Sequence, residues 1–339
     1  MKNKLLLTSA LVSGLVAFGS AQADETKITG DYKLSYKSQS GKDAATAGVK
    51  GFGRETQINV SKSGELSNGI AYSTGFSFEA DGSQTYAASD EGVYIALSMG
   101  DTTMTIGMDK APNMDTDAVP RVGEVTSTGA AEGASKYSRD ANTLYGNFGV
   151  ALTQKVAGGA LTLNYVPQVG DTGAASNDVA ANIDGKSGYE ILYKGSLGVE
   201  GLTVYAGMND RDLDMGAGTG KERADSKNSA YGAGYNFGQF AVGFGITKEE
   251  GVLLSSEQKT TEIGATFAAS DNISLGIGHA KTTDEGSGND PDDEKVIYAQ
   301  AGYNLGGITF QVSYYDIESG GWSAGNDVET ILLRAGAKF

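Results

Sequence analysis

The sequence contains no cysteine, a single histidine and only four prolines among 339 residues. Without cysteine the chain has no disulfides and no thiolate metal site, so its stability must come from backbone pairing and burial. Disordered low-complexity chains are usually rich in proline as well as glycine, and this chain has 50 glycines with very little proline. No P-loop, GxSxG or HExxH pattern is present, so no catalytic or phosphate-binding motif is recognised.

Positive charge and long hydrophobic runs are also scarce. The formal net charge is −16, so we do not expect nucleic acid as a partner. One apolar run, residues 5–18, follows Lys2 and Lys4 and ends at Ala21-Gln22-Ala23, a pattern that predicts a secretory signal peptide over residues 1–23. It is shorter than the roughly 20 residues of a membrane-spanning helix. The rest, residues 24–339, must then be a soluble domain or a β-barrel.

Alternating polar and apolar residues predict strands of about ten residues throughout this region. Their connections switch regularly between short and long. Seven short connections are predicted at residues 63–68, 100–102, 157–159, 195–201, 237–239, 268–272 and 305–307. Eight long polar connections are predicted near residues 40–51, 80–91, 110–138, 168–187, 210–228, 249–258, 281–294 and 318–327. These fifteen connections join sixteen strands with both termini on the short-turn side, as in an even-numbered outer-membrane barrel with an aqueous channel.

A soluble sandwich would show the same alternation, because it also buries one face and wets the other. The long loops on one side, the signal peptide and the terminal Phe339 favour the barrel. Two similar hairpins, residues 231–244 and 298–312, indicate which side chains of the alternating pattern face outward. The predicted lipid-facing side chains are Tyr235, Phe237, Phe240, Val242 and Phe244 in the first hairpin, and Tyr303, Leu305, Ile308, Phe310 and Val312 in the second.

With sixteen predicted strands, a final strand ending in Phe339 and a long third outer loop, residues 24–339 resemble the general diffusion porins of Gram-negative bacteria. The resemblance implies an all-β transmembrane barrel with short periplasmic turns and long extracellular loops. It further implies a homotrimer in the outer membrane, surrounded by lipid and lipopolysaccharide, that passes small hydrophilic solutes. In the family the third loop folds into the pore and forms a constriction.

The third loop, near residues 110–137, carries the predicted acidic side of this constriction: Asp115, Asp117, Glu124 and Glu132. A solvated outer loop is the alternative for these carboxylates. The apolar residues Val119, Pro120, Val122 and Val125 favour packing against a wall instead.

The resemblance places basic side chains on the opposite inner wall. Four cations fall in the inward phase: Lys33, Lys37, Arg139 and Arg334. Lys33 lies five residues after Ile28 and Arg334 five before Phe339, so both are expected at one height beside the barrel seam. The alternative for Lys33 is a local charge pair with Asp31. Because inward and loop carboxylates outnumber these cations, we expect modest cation selectivity.

Other functions remain open at this stage. The acidic residues of 284–294 could bind Ca²⁺ or Mg²⁺, although they lack the spacing of a calcium loop, and no other cofactor is expected. An enzyme would need His279, which the alternation directs outward toward lipid headgroups. A structural or adhesin barrel and a substrate-specific channel are further alternatives. A sugar channel would use aromatics along the lumen, whereas the inward ones here are scattered: Tyr94, Tyr145, Tyr205, Tyr298 and Tyr315.

Overall fold

The computed structural model of the protein describes residues 25–41, 48–79, 89–107, 119–122, 148–167, 187–213, 224–250, 257–285, 293–320 and 326–339. The predicted signal peptide lies outside these residues. Within them the chain forms sixteen antiparallel strands that close into one barrel. The first eight are β1 (Glu25–Gly41), β2 (Val49–Glu65), β3 (Ala71–Glu79), β4 (Ser89–Met99), β5 (Thr102–Gly107), β6 (Gly149–Val156), β7 (Gly159–Val166) and β8 (Gly188–Gly195). The others are β9 (Leu202–Leu213), β10 (Ala224–Phe237), β11 (Phe240–Glu250), β12 (Glu257–Ala268), β13 (Ile273–Glu285), β14 (Glu294–Leu305), β15 (Ile308–Glu318) and β16 (Val328–Lys338).

The connections alternate as the sequence predicts, and the sixteen-stranded barrel is confirmed. Two-residue turns join β6 to β7 and β14 to β15, and their residues have the positive φ angles that such hairpin turns require. They are Ala157 (φ 50°) with Gly158 (φ 72°), and Gly306 (φ 57°) with Gly307 (φ 113°). In the described part of the chain, no helix is long and apolar enough to cross a membrane.

The barrel closes where β1 pairs with β16. The last residue, Phe339, exchanges two backbone hydrogen bonds of 2.9 Å with Gly30. A Cβ atom at position 30 would lie 2.5 Å from the Phe339 ring, so the absence of a side chain there leaves room for the aromatic ring. Phe339 therefore covers the lower end of the seam on the outer face.

The outer face is apolar and exposed, as the alternation predicts. In β15, Phe310 and Val312 are 43% and 42% exposed, whereas their neighbours Gln311 and Ser313 are 8% and 0% exposed. All ten lipid-facing residues predicted from the two hairpins are exposed. At the short-turn end, stacked rings of Phe237, Phe240 and Phe267 have centroids 5.8 and 4.7 Å apart, an arrangement typical of an interfacial aromatic girdle.

The inner face is buried along part of the wall. Side chains of β13–β16 that point inward form one apolar cluster: Ala280, Val296, Tyr298, Tyr315, Ile317, Val328 and Leu332. A smaller cluster on β8–β10 contains Leu192, Tyr205 and Ala230. The interior of this barrel is thus partly packed, and this packing positions the site described below.

Candidate functional site

Three of the four predicted basic residues are described, and all three point inward. Arg334 on β16 pairs directly with Ser35 on β1, and residues directly opposite each other in a sheet share a face. Lys33 and Lys37 lie two residues on either side of Ser35, on the same face. The neighbouring Leu34 and Leu333 are exposed on the outer face. These three cations therefore lie in the inward phase of the barrel, and their role at the constriction remains a prediction.

The predicted alignment of Lys33 with Arg334 is wrong by two residues. Phe339 pairs with Gly30 instead of Ile28, so Lys33 faces Gly336, and Arg334 faces Ser35. The reason is that β1 begins at Glu25, below the end of β16, and no local signal in the sequence marks that overhang. The two cations are diagonal neighbours, about 5 Å apart in height.

Lys33 forms a local ion pair. Its Nζ atom lies 2.5 Å from Glu55 Oε1 on β2 and 4.0 Å from Asp31. Lys37 faces the lumen two residues above Ser35, and among the described residues its side chain forms no ion pair. The inner face of β1, β2 and the lower end of β16, which we call the open wall, thus carries one ion-paired lysine and one lysine that has no carboxylate partner among the described residues.

The predicted acidic residues Asp115, Asp117, Glu124 and Glu132, and the predicted basic residue Arg139, lie outside the described residues. Their placement in the pore remains a prediction. Of the connection between β5 and β6, the structure describes residues 119–122, together with residue 148 beside β6. Residues 119–122, here named the anchor segment, lie inside the barrel.

The anchor segment packs against the inner face of β12–β15, which we call the docking wall. Val119 and Val122 are each 2% exposed, which confirms the expectation that the apolar residues of this loop pack on a wall. Both lie over glycines. A Cβ atom would be 2.7 Å from Val119 at Gly264, 2.9 Å from Val122 at Gly276 and 2.8 Å from Val122 at Gly302. Because these three glycines on successive strands have no side chains, they leave a groove that holds the two valines.

A buried charge pair lies beside this groove. Arg121 donates to Glu262 Oε1 through Nε at 3.0 Å and also through Nη2. The Tyr298 hydroxyl donates to the same oxygen at 2.7 Å, and the guanidinium carbon lies 4.8 Å from the centre of the Tyr298 ring. The two charged side chains are 4% and 1% exposed. Burial of two charges is tolerable only when they are paired and hydrogen-bonded, as they are here.

Two glutamines on the docking wall hold the backbone of the anchor segment. Val122 donates its N–H to Gln300 Oε1 at 3.1 Å, and its carbonyl accepts from Gln311 Nε2 at 2.9 Å. Gln311 also donates to Ser313 at 3.0 Å. The N–H and the carbonyl of Val122, in a segment without secondary structure, therefore both have partners inside the barrel, as buried backbone groups require.

The lumen wall of β8–β10 carries a row of polar side chains at one height. Asn209 donates to Glu190 at 3.2 Å, and Asn228 donates to Asn209 at 2.9 Å. Within the described residues, no group of three or more metal-binding side chains is placed to hold an ion. Most of the acidic loop at 284–294 lies outside those residues, so the proposal of a Ca²⁺ or Mg²⁺ site there is untested.

Two other predictions about single side chains are supported. His279 lies opposite Ile263 and Ile297, both exposed on the outer face, so it points away from the lumen. Of the predicted inward aromatics, Tyr205, Tyr298 and Tyr315 are at most 2% exposed on the inner side. Tyr298 and Tyr315 contact each other with centroids 6.0 Å apart, beside the anchor segment.

The sequence did not reveal the function of Glu262, Gln300 and Gln311. Each falls in the inward phase, but Glu262 lies 141 residues from Arg121 along the chain. The available signal was the set of inward-phase glycines on adjacent strands, because glycine within a strand often marks close approach of another segment.

Comparisons with known proteins agree with this architecture. The Gram-negative porin family matches residues 8–321. None of the curated proteins compared with the chain shows significant sequence similarity to it. Among solved structures, an anion-selective porin from Comamonas acidovorans is 13% identical, with a TM-score of 0.65 over 94% of this chain and 100% of that one.

Two further solved structures have the same fold. OmpF of Salmonella typhi, in complex with daunomycin, is 11% identical, with a TM-score of 0.68 over 93% of this chain and 97% of that one. A variant of the Rh. blastica porin is 16% identical, with a TM-score of 0.59 over 93% of this chain and 100% of that one. At such identities these structures support the fold, whereas the family match covers most of the chain. The chain therefore belongs to the Gram-negative porin family and forms a diffusion channel in the outer membrane.

Proposed function

We propose that the channel passes small hydrophilic solutes and ions by general diffusion, with a modest preference for cations. The observation that carries the proposal is the local neutralisation of lumen cations. Lys33 is paired with Glu55, and Arg121 is paired with Glu262. Over the whole sequence, 42 acidic residues outnumber 26 basic residues, so carboxylates remain in excess when these cations are paired. Carboxylates that line a narrow lumen focus a negative electrostatic potential there, and this potential raises the local concentration of cations.

A substrate-specific channel is the closest alternative. Channels that guide sugars would need aromatic faces accessible to the solute along the lumen. Tyr298 and Tyr315 are 0% and 1% exposed, because they pack at the docking wall. Their burial supports general diffusion. Similar folds can differ in selectivity, since one of the similar structures is named as an anion-selective porin.

Ion-substituted recording in planar bilayers tests the proposal. Under a KCl gradient, we expect a reversal potential of the sign that indicates preference for potassium, reduced when a bulkier cation replaces potassium. A preference for chloride would overturn the cation selectivity. If one sugar blocked the ion current, and this block saturated at low sugar concentration, the result would instead support a specific channel.

We also propose that the chain assembles as a homotrimer, as the family implies. Strand length supports this. β6, β7 and β8 have eight residues each, whereas β1 and β2 have seventeen. Eight residues at the usual tilt rise about 20 Å, less than a 25 Å apolar band. If another subunit covered the outer face of β6, β7 and β8, these short strands would not face a lipid layer thicker than themselves. In the same recordings, current should then rise in groups of three equal steps.

The remaining partners follow from the membrane location. We propose that residues 1–23 are removed on export and that the outer face contacts lipid and lipopolysaccharide. Lysines on the outer face at the long-loop end support contact with lipid and lipopolysaccharide, because lysine side chains at the membrane surface interact favourably with anionic phosphate groups. Lys248 lies 3.0 Å from Glu257, and Lys295 lies 3.1 Å from Glu318, so part of this rim is already ion-paired.

A further inference from the structure

We infer that four lysines on the outer face of β11–β14 form a binding site for a phosphorylated lipid headgroup, and that they contact its phosphates directly, without a bridging divalent cation. The inference deepens the proposed contact with lipopolysaccharide and rests on it. We call these residues the lysine patch: Lys248, Lys259, Lys281 and Lys295.

The lysine patch lies at the upper border of the apolar outer face. On β12, Lys259 shares its face with Ile263, which is 55% exposed, whereas Thr260 and Glu262 are buried on the inner side. On each of the four strands, the lysine is the first formally charged residue above an isoleucine that faces outward: Ile246, Ile263, Ile277 and Ile297. Lysines at this border reach the level of the lipid phosphates while their stems stay on apolar surface.

Two pairs within the lysine patch bring like charges together. Lys248 lies directly opposite Lys259, and Lys281 lies directly opposite Lys295. Side chains at such positions have Cβ atoms about 5 Å apart, and like charges there destabilise a sheet. The two pairs are diagonal neighbours, because Lys259 pairs with Thr283, two residues beyond Lys281. Four ammonium groups therefore share about 14 Å of the barrel surface, and a bound anion would offset their repulsion.

Carboxylates compensate the lysine patch only in part. The ion pairs are Lys248–Glu257 at 3.0 Å, Lys281–Asp293 at 2.5 Å and Lys295–Glu318 at 3.1 Å. Their side chains are 27% to 58% exposed, so each pair contributes little and can be exchanged for a phosphate contact. Lys259 has no ion pair among the residues that the structure describes. Its amino group is the one most available to an added anion.

Acidic sectors bound the lysine patch on both sides. The first outward charge is Asp210 on β9, Asp316 on β15 and Glu329 on β16, and the last two lie directly opposite each other. On β10, Lys227 lies directly opposite both Asp210 and Glu250, so its neighbours compensate its charge. A phosphate would be repelled from these sectors unless a divalent cation intervened. We therefore expect direct contact with phosphate at β11–β14.

The experiment measures how lipid A, a glycolipid with two phosphates, binds the purified barrel in neutral detergent with EDTA, by native mass spectrometry. We expect Lys259→Gln with Lys281→Gln to weaken binding about 30-fold, because each lysine near an anionic lipid contributes about fivefold. The matched control is Lys50→Gln, since Lys50 is exposed on the outer face of β2 opposite the uncharged Ser38. It should change binding by less than about twofold. Equal losses in the two variants would overturn the inference.

Changes of probe test the chemistry of the contact. Lys259→Arg with Lys281→Arg keeps both charges and should bind within about threefold of wild type. Lipid A without phosphates should bind wild type no better than intact lipid A binds the glutamine variant. Displacement of lipid A by millimolar inorganic phosphate would show a general anion site and overturn the assignment to a headgroup. Binding that appears only when Mg²⁺ replaces EDTA would overturn direct contact.

Thermal unfolding separates binding from a structural role. Without anionic lipid, Lys259→Gln removes one member of a directly opposed pair of like charges, so its Tm should equal or exceed that of wild type. A lower Tm would mean that Lys259 stabilises the barrel itself and would overturn the inference. Added lipid A should raise the Tm of wild type and leave that of the double glutamine variant nearly unchanged.

Wild-type binding keeps this test distinct from the proposed function. If wild-type protein does not bind lipid A with or without Mg²⁺, the proposed contact with lipopolysaccharide is itself contradicted. If wild type and the double glutamine variant bind equally, that contact stands and the assignment to the lysine patch is overturned. Because the patch faces away from the lumen, the double variant should also conduct with the reversal potential of wild type.

Discussion

The two sides of the lumen are built on the same strand alternation but present different side chains. The docking wall of β12–β15 combines glycines and amides with the carboxylate of Glu262, whose side chain is 1% exposed. The open wall, on β1, β2 and the lower end of β16, presents Lys33, Lys37, Glu55 and Arg334, and its Glu55 side chain is 37% exposed. A charge that faces inward is therefore not necessarily a pore charge. Whether another segment covers it decides whether it affects permeation or structure.

The largest effect is expected on the free energy of unfolding, when glycine substitutions on the two walls are compared. Gly302→Ala would place a Cβ atom 2.8 Å from Val122 and 3.0 Å from Ser274, whereas Gly51→Ala on the open wall meets nothing within 4 Å. We expect Gly302→Ala to lower the free energy of unfolding by about 1–3 kcal/mol, because a packed interior must shift. Gly51→Ala should change it by less than about 0.5 kcal/mol.

Urea unfolding of the purified barrels in lipid, followed by circular dichroism, measures this difference. A second comparison, Gly276→Ala, should resemble Gly302→Ala, because its Cβ atom would lie 2.9 Å from the other Val122 methyl. Equal stability of the variants on both walls would show that the anchor segment does not occupy the glycine groove.

A smaller effect is expected from lysines of the open wall. Lys33 is neutralised by Glu55, and Lys37 has no ion pair among the residues that the structure describes. Lys37→Ala should therefore increase cation preference more than Lys33→Ala, since screening and pairing weaken the field of the latter. Reversal potentials of the two variants under one KCl gradient measure the order. The reverse order would mean that the Lys33–Glu55 pair is broken in the conducting channel.

Much of the fold was predictable because alternation is a local property. The outward phase of Phe310 and Val312 and the inward phase of Lys33 and Arg334 follow from counting residues along each strand. The register across the seam was not predictable to better than two residues, because it depends on how far β1 extends below Phe339. The long connections were identified from their polarity, but their contacts were not.

The open wall was easier to predict than the docking wall. The Asp31 partner of Lys33 was anticipated, and the closer partner Glu55 lies directly opposite Lys33 on the next strand. At the docking wall, Arg121 and Glu262 come from elements that do not pair, so no periodicity connects them. Their contact depends on tertiary packing of the connection in the barrel. The sequence indicated only that Val119 and Val122 would pack somewhere.

Matched cysteines on the two walls test the central claim, that one wall is covered and the other lines the water-filled pore. Ser35→Cys places a thiol on the open wall, and Ser313→Cys places one on the docking wall, where the serine is 0% exposed. Ser35 pairs with Arg334 and Ser313 with Leu332, so the two sites differ by two residues in height. The cysteine-free chain supplies a clean background for both.

The measurement is the loss of single-channel current when a charged, water-soluble thiol reagent is added. We expect Ser35→Cys to be modified and to lose current, while Ser313→Cys conducts unchanged over the same period. Modification of Ser313→Cys at the rate of Ser35→Cys would contradict this expectation, because it would show the docking wall to be open to the pore.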